Sequence, residues 1–340
     1  MSLRYEPMLA TELDVQRFES CFAANDSARA PGQVTWQYLE NPTQTLLVDF
    51  AVDSAAGPLA GIYASMPHRG KVYSQERLIT QSVDTLTDQN YRGKGVFKRL
   101  ANTLFDRSKQ QDVDFIYGFP NAHSAPGFFE RLGWQRLGPV PFVIRPLNIS
   151  YFVSQKIDVK IPKIGLPIWP SMGRVRRATL EEIDIDAIWT QFKTGFNVGV
   201  IRDREFLTWR LKKPDENYEI LGIFDAQNRN TGFVIFKIAE KHEGRIGYIM
   251  ELMTTPDDDA SAFLLLAAAI QQLQSLNADA VLAWNLEHSP FYRVFIANGF
   301  LPFPEKFRPI ELNFGMKSLA GDYSIARQDW YLSYLDSDTV

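Results

Sequence analysis

Residues Ser82-Val83-Asp84-Thr85-Leu86-Thr87 alternate polar and apolar side chains in the manner of a strand. They run through Asp88-Gln89-Asn90-Tyr91 into Arg92-Gly93-Lys94-Gly95 and then an amphipathic helix from Val96. A strand, a glycine-spaced basic turn and a helix in that order confine the segment to an α/β layer, with the turn at the helix N-terminus. Glycines at 93 and 95 permit torsions that a side chain forbids, so successive amides can converge on one anion beside the positive end of the helix dipole. Arg92 and Lys94 add charge at the same point. The helix, Val96 to about Gln110, carries Val96, Leu100 and Leu104 on one face and Arg99, Asp106 and Lys109 elsewhere, a stripe that packs on a sheet. Taken alone, a Gly-x-Gly turn also serves as a plain solvated connection. In this context it predicts a cradle for the pyrophosphate of a nucleotide-like ligand.

A second strand follows, Val113-Asp114-Phe115-Ile116-Tyr117-Gly118-Phe119, then Pro120-Asn121 and a short helix closing with Phe128-Phe129-Glu130-Arg131-Leu132-Gly133-Trp134. From roughly Thr80 to Leu137 this order resembles the GNAT acyl-CoA N-acyltransferases. The resemblance implies an α/β (α+β) fold, acetyl-CoA as the acyl donor, and direct transfer to an amine through a tetrahedral intermediate. It places the pyrophosphate turn on Asn90, Tyr91, Arg92, Gly93, Lys94 and Gly95, with Val96 and Phe97 completing the amide cradle. It also implies a bulged strand at Leu86 and Thr87 whose backbone pairs with pantetheine and polarises the thioester carbonyl, and donor contacts from Asn121 and Phe128. Two positions depart from the family pattern: Asn90 stands where Gln or Arg is usual, and Phe129 replaces the tyrosine that serves as general acid.

A thiol with a pKa near ~8.5 can depart as thiolate if donors stabilise it, so Phe129 bears on mechanism more than on activity. An alkylammonium with a pKa near ~10 must lose a proton before attack, which calls for a base or a water chain leading to one. Asp84, on the strand before the turn, is the first candidate, and His123 and His68 are the alternatives. Each also has a plain reading, Asp84 as a binder of the substrate ammonium or a neighbouring backbone, the histidines as ordinary surface or loop residues.

A chain of 340 residues has room for two ordinary cores. Its net charge of −4 supplies no basic field for nucleic acid, and the single cysteine, Cys21, excludes an intrachain disulfide and reads as a buried thiol. The longest apolar run, Phe263 to Ile270, is far short of the ~20 residues that span a bilayer, and no charged-then-apolar leader opens the chain, so a cytoplasmic protein is expected. The four histidines, at 68, 123, 242 and 288, show no metal-ligand spacing, and no metal is expected.

The second half repeats the first. Trp36-Gln37-Tyr38-Leu39-Glu40-Asn41-Pro42 returns as Trp209-Arg210-Leu211-Lys212-Lys213-Pro214, Gly61-Ile62-Tyr63-Ala64 as Gly232-Phe233-Val234-Ile235, Val83 to Thr87 as Met250 to Thr254, and Gly133-Trp134 as Gly299-Phe300. Where the first copy has Arg92-Gly93-Lys94-Gly95 the second has Pro256-Asp257-Asp258-Asp259, which repels a pyrophosphate. The expected plan is two tandem GNAT-like lobes, each a mixed, mostly antiparallel sheet flanked by helices. Residues 1–145 form the acyl-CoA-binding domain, 146–177 a proline-marked linker, 178–316 a degenerate copy that helps form the acceptor pocket, and 317–340 a docking tail. Arg174, Arg176 and Arg177 near the linker's end are read as a solvated face or as contacts to an anionic substrate. The aromatic, acidic tail, Asp329 to Asp338, is expected to dock on the body, with Asp336 or Asp338 reaching an acceptor.

The acceptor class implied is a small-molecule amine, with an aminosugar first. Rival readings are an aminoacyl transferase of the Fem type, which takes its acyl group from charged tRNA, and a non-catalytic acyl-CoA-binding module. Oligomeric state is not legible.

Overall fold

The structure, a computed structural model, describes residues 3–9, 13–53, 57–148, 150–151, 174–308, 310–320 and 323–337. In chain order the elements begin with β1 (Arg4–Pro7), α1 (Val15–Ala23), β2 (Leu47–Val52), β3 (Leu59–Val72), β4 (Gln75–Thr87), α2 (Val96–Gln110), β5 (Val113–Gly118), β6 (Gln135–Pro139) and β7 (Phe142–Pro146). They continue with β8 (Val175–Arg177), α3 (Ile185–Phe192), β9 (Val198–Val200), α4 (Arg204–Arg210), β10 (Glu219–Phe224), β11 (Asn230–Lys241) and β12 (Gly244–Thr254). The last are α5 (Asp259–Ser275), β13 (Ala280–Trp284), α6 (Tyr292–Ala297), β14 (Leu301–Pro302) and β15 (Asn313–Ser318). Two compact units result. The first takes in the chain as far as Val140 with Lys212–Glu216 and Ile310–Arg327, and the second takes in Pro141–Leu211, Asn217 to Arg308, and the chain from Gln328 on.

In the first unit the sheet runs β1-β2-β3-β4-β5-β15-β6, with β4 and β5 parallel and the other neighbours antiparallel. Alternation along β2 sends Leu47 and Ala51 to one face and Val48, Phe50 and Val52 to the other, each into its own core. Leu100, Ala101, Leu104 and Phe105 of α2 fill the first core, and Phe18 and Phe22 of α1 with Tyr38 fill the second. Burial of each large apolar side chain is worth about 1.5–3 kcal/mol, so both faces are held without help from the helices' intrinsic propensity.

The second unit's sheet runs β14-β7-β13-β12-β11-β10-β8, with β12 and β13 parallel and the rest antiparallel. Both sheets therefore carry one parallel pair in an antiparallel frame, and both carry bulges at matched places. The β2/β3 and β10/β11 ladders each skip one residue, Ala60 and Thr231, and the β3/β4 and β11/β12 ladders skip Val83 and Met250.

The linear partition with cuts at 145 and 316 does not describe these units. β7 pairs with β13 and β14 in the second sheet, while β15 lies between β5 and β6 in the first. Pro139 and Pro141 flank Val140 and withhold two backbone donors, which prevents β7 from returning on β6 as a hairpin. The Val140 amide donates instead to Leu312 O, 3.0 Å away, in the segment that leads into β15. Arg176 and Arg177, read as linker, belong to β8 and pair with β10. Pro146 ends β7, while Pro162, Pro167 and Pro170 lie outside the described residues. The C-terminal segment is anchored in the second unit. Arg210 donates to Leu335 O and Ser337 O, and Arg202 to Asp336 Oδ2 at 2.5 Å, whereas Asp338 lies outside the described residues.

Candidate functional site

Strands β4 and β5 pair only from Leu78↔Val113 to Ser82↔Gly118. Beyond that point β4 runs on to Thr87 with β3 on one side, while β5 has ended, so the backbone of 83–87 presents an edge with no strand partner among the described residues. The bulge lies at the start of this edge, at Val83, because Ser65 pairs with Ser82 and Ala64 with Asp84. This corrects the expected place: Leu86 and Thr87 pair in regular register with Ile62 and Gly61. The physical reason is orientation. A bulge turns two successive side chains to one face. Ser82 therefore meets the Tyr63 hydroxyl on the α2 side, while Val83 packs in the α1 core and Asp84 turns with it.

Asp84 is buried, 3% exposed. Its carboxylate accepts from Arg29, from Gln37 Nε2 at 3.1 Å and from the Tyr38 hydroxyl at 2.7 Å. Arg29 is itself laid over the Phe22 ring, 4.1 Å from its centroid. Burial first, and then the Asp84 charge, push the Tyr38 hydroxyl well above the usual tyrosine range, so Tyr38 is a fixed donor here. The sequence reading missed Arg29, Gln37 and Tyr38 as partners of Asp84. The available signal was the repeat, since Arg202 lies 173 residues after Arg29, the same spacing as Trp209 from Trp36.

The turn is built from its own side chains. Asp88 caps the short turn Gln89–Tyr91 by accepting from the Asn90 amide at 2.9 Å and from Asn90 Nδ2 at 3.0 Å, which engages the Asn90 side chain locally. The Tyr91 hydroxyl donates to Asp53 Oδ2 at 2.9 Å, and Lys94 Nζ sits 4.8 Å from the Tyr91 ring centroid. Gly93 and Gly95 adopt φ of +77° and +75°, the left-handed region, and a Cβ at either would meet open space. Glycine is thus required by torsion and not by crowding.

Gly95 is the N-cap of α2 and, having no side chain, supplies no side-chain cap to the helix start. The equivalent end of α5 is closed: Asp258 caps it, accepting from the Ser261 amide at 3.0 Å. Gly61 seats the open end on the sheet, because a Cβ there would come within 2.9 Å of Leu86 O and of Val96 Cγ1.

The remaining candidates separate. Asn121 is exposed and its Oδ1 is used within the loop, accepting from the His123 amide, the Ser124 amide and the Ser124 hydroxyl. His123 is exposed on that loop. His68 is buried within β3, 5% exposed, and pairs with Ile79, toward the end of β3 away from Gly61, whose partner Thr87 leads into the turn. Phe128 is buried between Phe97, at 5.5 Å, and Trp134, at 4.8 Å, both edge-on. Phe129 lies under the Arg136 guanidinium, 4.1 Å from the ring centroid, and against Gly315, where a Cβ would come within 2.5 Å of its Cε1. Among the described residues there is no group of three His, Cys, Asp or Glu side chains able to hold a metal ion, and no helix long and apolar enough to cross a membrane.

An open helix N-terminus behind two left-handed glycines, next to a bulged strand with a free edge, is an arrangement for an extended ligand with a diphosphate. The family model described as an acetyltransferase (GNAT) domain matches residues 12–137, the segment that contains all of these features. The chain carries a GNAT acetyltransferase domain. That match supports residues 12–137 as an acyltransferase domain acting on amines, with an acyl-CoA as donor substrate.

Solved structures share the fold at low identity. N-myristoyltransferase of Saccharomyces cerevisiae, solved with bound myristoyl-CoA and inhibitors, matches with a TM-score of 0.62 at 13% identity, over 93% of this chain and 80% of that one. A probable N-acyltransferase from Enterococcus faecalis matches with a TM-score of 0.64 at 14% identity, over 94% and 73%. A GCN5-related N-acetyltransferase from Anabaena variabilis matches with a TM-score of 0.64 at 15% identity, over 93% and 73%. No curated protein matches the chain.

Proposed function

We propose that the GNAT domain transfers an acetyl group from acetyl-CoA to the primary amine of a small acceptor, with aminosugars the leading class. The observation that carries the reading is the uncapped start of α2 behind Gly93 and Gly95. Amides from Gly93 to Phe97 take the pyrophosphate, Arg92 and Lys94 add charge, and the edge of 83–87 pairs with pantetheine. A short acyl group suits the point where β4 and β5 part. A Cβ on Gly118 would lie 3.2 Å from Ser82 O and 3.5 Å from Trp134 Cη2, and Trp134, Phe128, Phe97 and Tyr63 pack one on another behind it.

Asp84 is already held by three donors, so we assign it to fixing the bulge and its backbone donors. His123, exposed on the loop after β5, is then the side chain proposed to accept the amine proton, and the thiolate leaves without an acid at Phe129. The second unit, with its matched bulges and its capped α5, is read as a degenerate copy of the first that binds no CoA.

Release of CoA thiol with acetyl-CoA and a panel of amines that includes aminosugars tests the reading. Amine-dependent turnover with acetyl-CoA supports it. Tight CoA binding with no turnover favours the non-catalytic rival suggested by Phe129, a side chain with no hydroxyl to serve as acid. A requirement for charged tRNA contradicts it.

A further inference from the structure

The second unit holds a small pocket of about 20 Å³ beside the parting ends of β12 and β13, whose polar lining includes Glu251, Asn285, Ser289, Tyr331 and Ser333. Two of those groups have no hydrogen-bond partner among the described residues, Asn285 Nδ2 and Ser289 Oγ. Their residues are 5% and 7% exposed, so bulk water does not serve them. Glu251, by contrast, is fully engaged: it accepts from Arg202 Nε at 2.6 Å, from the Ser333 hydroxyl at 2.9 Å, from the Leu252 amide at 3.0 Å and from Tyr331.

A buried donor left unmade bears the cost of its lost hydration, and such groups in folded proteins are as a rule satisfied by a protein atom or an ordered water. The volume decides what fits. One water needs roughly 10–15 Å³ measured in this way, so about 20 Å³ holds one and excludes an acyl or sugar group. Charge decides what kind. A cation would face the Asn285 N–H and an anion would face Glu251, whereas a neutral molecule that both accepts and donates suits the amide and the hydroxyl together.

We propose that this cavity is a binding site for a single water molecule, which accepts from Asn285 Nδ2 and shares a hydrogen bond with Ser289 Oγ. The water ties the two ends of the loop after β13 together, beside a wall that includes the C-terminal residues Tyr331 and Ser333. Residues 249–252 around the bulge at Met250 stand 167 positions after 82–85 around the bulge at Val83. The cavity thus lies at the second unit's counterpart of the place where β4 and β5 part, hydrated and too small for a donor's acyl group.

A crystal structure of the full chain, at a resolution that shows ordered solvent, tests this without reference to CoA binding. One solvent peak within hydrogen-bond reach of both Asn285 Nδ2 and Ser289 Oγ is expected. An empty cavity, or an Asn285 amide turned onto a protein acceptor, overturns the proposal. The Ser289→Ala variant gives a second readout. It removes a satisfied hydroxyl if the water is present, and the Tm falls. In a dry cavity it removes an unsatisfied one, and a raised Tm overturns the proposal.

Discussion

Arg29 donates to Asp84 one residue beyond the bulge at Val83, and Arg202 donates to Glu251 one residue beyond the bulge at Met250. The pairs differ in burial. The Arg29 side chain is 23% exposed, while Arg202 is 0% exposed and holds a second carboxylate, Asp336. Burial works against the Arg202 charge, and Asp336 and Glu251 more than offset it, so its pKa lies above the ordinary arginine value.

Removing one partner of a fully buried pair strands the other charge, at a cost of about 3–5 kcal/mol. Arg202→Met is therefore expected to lower unfolding free energy by that amount, and Arg29→Met by less, since Arg29 is partly exposed and holds one carboxylate where Arg202 is buried between two. Urea unfolding of both variants checks the order. Equal losses would contradict it.

The Asp49–Arg107 pair makes stability depend on pH in an uncommon direction. Asp49 is fully buried, and although Arg107 pulls the other way, burial pushes its carboxyl up from 3.8 to about 6. A carboxyl with a raised folded pKa binds more protons folded than unfolded between pH ~4 and ~6. This contribution is thus fully present below the unfolded pKa and lost as pH rises through the folded one, on the order of 3 kcal/mol. Asp49→Asn is expected to flatten that slope in denaturation curves taken across the window, and an unchanged slope would assign it elsewhere.

Cys21 is 6% exposed, and burial with the Asp88 charge pushes its thiol up to about 11. At pH 8 the thiolate is then about a thousandth of the population. A disulfide reagent is expected to label the native protein at the rate of global unfolding and the denatured protein at once.

Much of the first unit was legible because its signals are local. The alternation of Ser82 to Thr87, the glycines and the stripe of α2 each follow from neighbours in sequence, and α2 spans Val96–Gln110 as read. The exchange of β7 and β15 was not legible, since a short apolar strand reports that it pairs but not with which partner, and Pro139 and Pro141 gain meaning only beside Leu312. The bulge at Val83 was placed three residues late for a similar reason: register is a property of two strands, and only the pairing of Ser65 with Ser82 reveals the skipped residue. Arg29 lies 55 residues before Asp84, and no spacing rule joins them.

The torsions of the turn predict a separable defect. Gly93→Ala has room for its Cβ, so its cost is the left-handed strain of about 1–2 kcal/mol and not a clash. The variant is expected to fold with a modestly lower Tm and to raise the KM for acetyl-CoA, with the KM for the amine little changed. Steady-state kinetics with each substrate varied in turn checks this split.

Calorimetric titration of acetyl-CoA into the wild type and into Gly95→Asp tests the central claim most directly. The substitution puts a carboxylate, as at Asp258 before α5, and left-handed strain at the start of α2, where the account places the diphosphate. The account predicts binding at one site per chain in the wild type and an affinity at least about tenfold weaker in the variant, a difference of ~1.4 kcal/mol. No binding by the wild type, or the same affinity in both proteins, would contradict it.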